Sequence, residues 1–246
     1  MAERAILSLA ERLDKQLPLE GIAGSAWIGR QPIAPSACAP IAHEKAGIMF
    51  SADALAPANA SSKIEMLPSH EEIQAAPRKL IEATLAMEAQ LRSGDCCLAQ
   101  GQGNRYLMMA PPAAPLSPAE FDALQELPFT QAPHPSYRER IPAWDMVNAS
   151  LTATRGCGGG CAFCSLALHQ GRRIISRSAD SLKRSASKLA ASCNWGGSIT
   201  DVGGPTANAW GSHCAGDPAA CARFSCYAPS PCPNLRLNQK EYLRLL

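Results

Sequence analysis

The stretch Thr154 to Arg172, TRGCGGGCAFCSLALHQGR, sets Cys157, Cys161 and Cys164 within eight residues and surrounds them with Gly156, Gly158, Gly159 and Gly160. The spacing is C-x3-C-x2-C. A structural zinc site takes four ligands, usually as two separated pairs. Three thiolates on one tight loop suit three corners of a 4Fe–4S cubane and leave the fourth iron without a protein ligand. The glycines permit backbone angles that other residues avoid, and their bare N–H groups can point at anionic sulfur.

The distribution of thiols supports a metal role. Of 11 cysteines, only Cys38, Cys96 and Cys97 lie in the first 150 residues, and the other eight fall between Cys157 and Cys232. In a reducing compartment such crowding points to metal or catalysis rather than to disulfides. The N-terminus, MAERAILSLAERL, carries charges throughout, which suits an amphipathic helix and not a signal peptide. No apolar run is long enough to span a bilayer. The net charge of +2 makes no electrostatic case for nucleic acid or anionic membrane. The expected location is cytoplasmic.

Periodicity places a helix over residues 3–16, with Ile6, Leu7, Leu9 and Leu13 on one side. Residues 28–68 read as irregular, with one short strand near GIMFSA. Ser69 and Glu72 have capping-box spacing and open a helix that runs to Gly94, kinked or delayed by Pro77. Its stripe is Ile73, Leu80, Met87 and Leu91. CCLAQ and RYLMMAP flank GQGN as a hairpin; Gly101 and Gly103 lack the third glycine of a dinucleotide loop. Eight prolines between Pro111 and Pro142 mark a connector, interrupted by a helix capped at Ser117. The character changes at Met146. MVNASLTAT reads as a strand, Ser178 caps a helix through ADSLKRSASKLAAS, and SITDV reads as a second strand ending at Gly203-Gly204-Pro205. Strand, loop, helix and strand make a βαβ unit. The last residues, NQKEYLRLL, form a helix that stops while still apolar, so the chain reads as cut short. The expected fold class is α/β: the beginning of a TIM-like βα barrel over 146–246, preceded by a mixed α/β region over 1–145.

The cysteine motif with Phe163 as its aromatic residue resembles the signature of radical S-adenosylmethionine (radical SAM) enzymes. Beyond it, TRGCGGGCAFCSLALHQGRRIISRS, ITDVGGPTAN and the spaced cysteines running into CPNL are similar to the YgiQ family of these proteins, as are LPSHEEI, APPAAPL, PHPSY and IPAWDMV upstream. The resemblance implies that residues 1–145 are a radical SAM-associated N-terminal region, that 146–246 are the first part of the radical SAM core, and that the chain is an internal fragment. It implies a 4Fe–4S cluster held by Cys157, Cys161 and Cys164, whose open iron chelates S-adenosylmethionine. Reductive cleavage then yields a 5′-deoxyadenosyl radical that abstracts hydrogen from an unknown substrate, with an electron donor such as flavodoxin or ferredoxin.

In that pattern Phe163 packs near the adenine, or else is a core aromatic. Gly203 and Gly204 stand where backbone oxygens accept from the methionine amino group, although Pro205 replaces the usual acidic residue. Arg177 is the candidate partner of the methionine carboxylate, ahead of Arg172 and Arg173. His169 and Gln170 line the substrate cavity or satisfy loop backbone. Cys214, Cys221, Cys226 and Cys232, with His213 and Asp217 as spare ligands, form a second expected metal site, for zinc or a closed iron–sulfur cluster. Two competing readings are a non-catalytic zinc or iron–sulfur module and a fragment inactive by itself.

Overall fold

The structure, a computed structural model, describes residues 3–32, 63–94, 96–192, 195–206, 208–217 and 221–246. The expected strand near GIMFSA, Cys38 and Cys193 lie outside the described residues. The chain divides into two compact units: Met1–Pro115 with Leu168–Arg172 and Gly216–Arg223, and Leu116–Ala167 with Arg173–Ala215 and Phe224–Leu246.

The first unit opens with α1 (Glu3–Asp14) and β1 (Ala26–Gly29). Amphipathic spacing makes α1 a helix, but its stripe is not buried: Ile6 is 59% and Leu13 58% exposed, while Arg4 is buried. Within 28–68, which reads as irregular, the described residues Ile64–Leu67 form β2. Next come α2 (His70–Ala75) and α3 (Lys79–Ser93). The Ser69 capping box forms in full: the Glu72 N–H donates to Ser69 Oγ at 3.1 Å and the Ser69 N–H to Glu72 Oε2 at 2.8 Å. Pro77 separates the two helices, because it has no N–H to donate and its ring disfavours helix at the residue before it. Gly94 closes α3 in the left-handed region at φ 63°.

The chain then returns as β3 (Cys97–Gln102), parallel to β2, and turns through Gly103 and Asn104 into the antiparallel β4 (Arg105–Met109). The sheet order is β1-β4-β3-β2. Cys97, Leu98 and Ala99 are all buried, as a central strand covered on both faces requires. Leu67, Cys96 and Leu98 form the core, with Ala86, Met87 and Met109 packed on it. Leu80, expected on the stripe of α3, is 55% exposed; the buried positions are Ala83 and Gln90, whose amide donates to Cys96 O at 2.8 Å.

The second unit begins at α4 (Pro118–Gln125), capped by Ser117 with Pro118 in the first turn. Its Phe121 is fully buried, and the Arg155 guanidinium lies 4.9 Å from the ring centroid. Helix α5 (Pro142–Val147) takes Met146 and Val147 out of the expected strand, because Pro142 supplies a helix start; the strand β5 runs only over Ser150–Thr152. Then follow β6 (Thr154–Arg155), α6 (Leu166–Gln170), β7 (Ile175–Ser176), α7 (Ala179–Ala190) and β8 (Asp201–Gly203). β5 and β8 are parallel neighbours, with Leu151 opposite Val202. Ser178 caps α7, and Leu182 joins Leu151 and Ala153 in a core completed by Ala186, Leu189, Ile199, Val202, Trp210 and Leu245. This is the expected βαβ unit. After it come the antiparallel pair β9 (His213–Cys214) and β10 (Leu235–Arg236), then α8 (Gln239–Leu245), whose Tyr242 hydroxyl donates to Val202 O at 2.6 Å.

The architecture is mixed α/β with several small sheets, and the partial TIM-like barrel is not formed among the described residues. A barrel needs successive parallel neighbours. Here β5 and β8 make one parallel pair, while β6 and β7 pair antiparallel to each other.

Glu126 joins α4 to α7, taking Arg184 Nε and Lys188 Nζ at 3.0 Å each. Hydrogen bonds from Lys188 and then Arg184 hold its carboxyl below the ordinary carboxylate value. A depressed folded-state value stabilises the protein above the unfolded carboxylate pKa, and the benefit fades as pH falls through the folded value. Urea titrations should therefore find the wild type slightly more stable than Glu126→Gln at neutral pH, with the gap closing below about pH 4.

Candidate iron–sulfur loop

The cysteine loop leaves the sheet after β6 and returns through β7, which pair antiparallel with Thr154 opposite Ser176 and Arg155 opposite Ile175. Both ends of the excursion are thus fixed. Two glycines make its path possible. Gly156 has φ 84°, and a Cβ there would lie 1.9 Å from Arg173 O. Gly160 has φ 63°, and its Cβ would lie 2.4 Å from Phe224 O. Any side chain at either position would be both strained and obstructed.

Cys157 and Cys164 are half-buried and Cys161 is exposed. A Cβ built on Gly159 would stand 3.3 Å from Cys157 Sγ and 3.5 Å from Cys161 Sγ, so the bare glycine leaves the space between two sulfurs clear. Cys164 follows one turn later, its N–H donating to Cys161 O at 3.1 Å. The Gly159 N–H points at Cys157 Sγ at 3.4 Å and the Thr206 hydroxyl donates to the same sulfur at 3.0 Å. Among the described residues no three His, Cys, Asp or Glu side chains are gathered closely enough to bind one metal ion. That argues against a preformed mononuclear zinc site. It is compatible with a cubane, in which each thiolate binds a different iron and the sulfurs stand farther apart. The three thiols, with hydrogen-bond donors already facing one of them, fit such a group.

The other expected site residues fall as follows. Phe163 is 93% exposed and is not a core aromatic. Gly203 O accepts the Ala153 N–H at 2.7 Å, and a Cβ on Gly204 would lie 2.1 Å from Thr154 Oγ1. Gly204 therefore serves the close approach of two chain segments. Arg177 departs from its expected role as a carboxylate partner: it is 2% exposed. Its Nη2 donates to Ser181 O at 2.9 Å, Ser181 Oγ at 2.7 Å and Ser185 Oγ at 2.6 Å. Its Nη1 donates to Thr152 O at 3.3 Å. Burial draws the guanidinium below its ordinary value, against the pull of Asp122 and Glu126. Serines at i+4 and i+8 on α7 give Arg177 an internal set of acceptors, so it ties that helix to β5. Arg172 donates to Arg223 O at 3.1 Å; Arg173 and His169 are exposed, and Gln170 is half-buried.

Of the second cysteine set, Cys226 and Cys232 are neighbours, the Cys232 N–H donating to Cys226 O at 2.8 Å. Cys214 is exposed on β9 with His213, Asp217 is exposed, and Cys232 is buried. Cys226 also lies against the first cysteine loop: its N–H donates to Gly158 O at 2.8 Å, and its Sγ is 2.9 Å from where a Gly158 Cβ would be. Tyr227 follows it. Burial, then the neighbouring Cys226 and Cys157, raise that phenol's pKa, against a lowering hydrogen bond with the Thr206 side chain. The Tyr227 hydroxyl is buried beside that of Thr206, which donates to Cys157 Sγ. Sequence reading passed over Thr206 and Tyr227; a hydroxyl two residues beyond Gly204 was the one legible signal.

Fold and loop together define a mixed α/β protein with a thiol-rich loop. Comparison with known families is specific: residues 1–150 match the family described as Radical SAM N-terminal, and the chain belongs to that family. The cysteine loop lies beyond the matched residues. The chain is 38% identical over 253 residues to a UPF0313 protein of Geobacter sulfurreducens, covering 100% of this chain and 38% of that protein. It is 37% identical over 253 residues to a UPF0313 protein of Bradyrhizobium diazoefficiens, covering 99% of this chain and 37% of that protein. To the UPF0313 protein YgiQ of Escherichia coli it is 37% identical over 185 residues, 73% of this chain and 25% of that one. The chain thus spans well under half the length of these relatives. No solved structure matches it. No helix among the described residues is long and apolar enough to cross a membrane.

The Arg177 assignment has a direct check. Arg177→Ala should lower unfolding stability by about 2–4 kcal/mol in urea, because it leaves buried serine and carbonyl acceptors unpaired. A variant with wild-type stability would restore a ligand-binding role for this arginine.

Proposed function

We propose that this chain is the cluster-binding part of a radical SAM protein, with Cys157, Cys161 and Cys164 as the three protein ligands of a 4Fe–4S cluster. The observation that carries the reading is the loop itself. Three thiols stand within eight residues, two of their sulfurs lie close to where a Gly159 Cβ would be, and none of the described cysteines is in a disulfide. Membership of the Radical SAM N-terminal family supports it. Bound there, the cluster would supply the electron that cleaves S-adenosylmethionine reductively, releasing a radical able to abstract hydrogen from a substrate.

The chain's own residues have simpler duties. Gly156 and Gly160 let the loop close on the segments that carry Arg173 and Phe224. Cys226 and the ring of Tyr227 line Gly158 and keep water from the inner side of the loop. Phe163, beside Cys164 and almost fully exposed, offers a bare aromatic face on which an adenine would stack. Gly204 lets its segment lie against Thr154, just before the loop. The reductant would be a one-electron donor of the flavodoxin or ferredoxin kind. The competing zinc module is disfavoured by the count of thiols on the loop.

Anaerobic reconstitution with iron and sulfide should give a brown protein whose reduced-state paramagnetic resonance spectrum changes when S-adenosylmethionine is added. Replacing Cys157, Cys161 and Cys164 together by alanine should abolish the colour. A colourless protein holding stoichiometric zinc, or a triple variant that still turns brown, would contradict the proposal.

A further inference from the structure

Cys157 differs from its two partners in its surroundings. Thr206 Oγ1 donates to its sulfur at 3.0 Å, and the Gly159 N–H approaches the same atom at 3.4 Å. Among the described residues neither Cys161 nor Cys164 has a hydroxyl placed on its sulfur. Thr206 does not reach Cys157 by chance of rotamer alone. Gly204 is pressed against Thr154, so closely that a Cβ would stand 2.1 Å from its hydroxyl, and Pro205 fixes the next backbone angle. Thr206 therefore starts from a fixed point beside the loop. Cys226 Sγ and the Tyr227 ring pack on Gly158, within 3.5 Å of where its Cβ would be. A hydrogen bond sheltered by such groups is stronger than one open to water.

We propose that Thr206 is a positioning residue that sets the reduction potential of the cluster through the sulfur of Cys157. The proposal rests on the iron–sulfur reading above. A thiolate that binds iron has no proton, so it can only accept, and the threonine hydroxyl is then the donor. Accepting a hydrogen bond withdraws electron density from the sulfur, which stabilises the more negative, reduced cluster and raises its potential. The effect is unequal among the three ligands, so the added electron is favoured on the Cys157 side. Thr206 takes no part in bond making and touches no reacting atom.

The test is a redox titration of the reconstituted full chain, followed by paramagnetic resonance, for the wild type, Thr206→Val and Thr206→Ser. Valine keeps the shape and removes the hydroxyl, whereas serine keeps it. The expected result is a more negative midpoint for Thr206→Val, with about fivefold to tenfold fewer reduced clusters at a fixed potential; tenfold corresponds to about 59 mV for one electron. Thr206→Ser should match the wild type. The resonance Raman band of the iron–cysteine stretch should move up in Thr206→Val alone, as that bond loses its hydrogen-bonded sulfur. If Thr206→Val takes up no iron, Thr206→Ala is titrated in its place. Cluster loading that follows the hydroxyl, present with serine and absent with valine and alanine, also supports the donor role. An unchanged midpoint and unchanged stretching band in a loaded variant without the hydroxyl would overturn the inference while leaving the iron–sulfur reading intact. A wild type that assembles no cluster would overturn both.

Discussion

The antiparallel pairing of β6 with β7 is the constraint on which the rest of this site depends. Two residues on each side close the base of a long excursion, and at that closure Arg173 O lies where a side chain at position 156 would be. A glycine there is thus a steric condition for the loop and not a matter of flexibility. Once the base is closed, the loop can only bulge toward the segment that holds Phe224, Cys226 and Tyr227. The second contact, at Gly160, fixes its outer limit. The positions of Cys157 and Cys161 follow from these two contacts. Their sulfurs both lie near the place that a side chain at position 159 would take, so a glycine there leaves them clear.

The polar groups around the loop fall into two sets with different work. Arg177 and the serines of α7 form an internal network that fastens helix to strand, and none of its members needs a ligand to be satisfied. Thr206 and the Gly159 N–H face a sulfur instead. Tyr227, whose buried hydroxyl lies beside that of Thr206, packs its ring on Gly158 of the same loop.

Much of the local structure was legible from the residues. Ser69, Ser117 and Ser178 announced three helix starts through their capping chemistry, and the turn at Gly103 announced the hairpin. Each of these signals acts over four residues or fewer, where the backbone has little choice. Long-range pairings were less legible. The parallel return of β3 beside β2 depends on a strand whose sequence, IEML, is too short to carry a period. The stripe of α1 is clear in the sequence, yet spacing cannot say which surface will cover it. Arg177 misled for the same reason: an arginine near a cysteine motif looks like a ligand until Ser181 and Ser185 on the following helix are seen to accept its hydrogen bonds. Of the four later cysteines, Cys226 and Cys232 are joined by a backbone hydrogen bond and Cys226 also meets the first loop, while Cys214 stays on an exposed strand. The barrel expectation extrapolated from one βαβ unit, and the antiparallel partner of β6 has only two residues with which to declare itself.

The central claim is that three thiols grip a four-iron group and leave one iron open. The most direct measurement is Mössbauer spectroscopy of the chain reconstituted with iron-57, before and after S-adenosylmethionine is added. The account predicts that one of the four irons changes its parameters on addition while the other three keep theirs. Four irons that remain equivalent and indifferent to S-adenosylmethionine would contradict it.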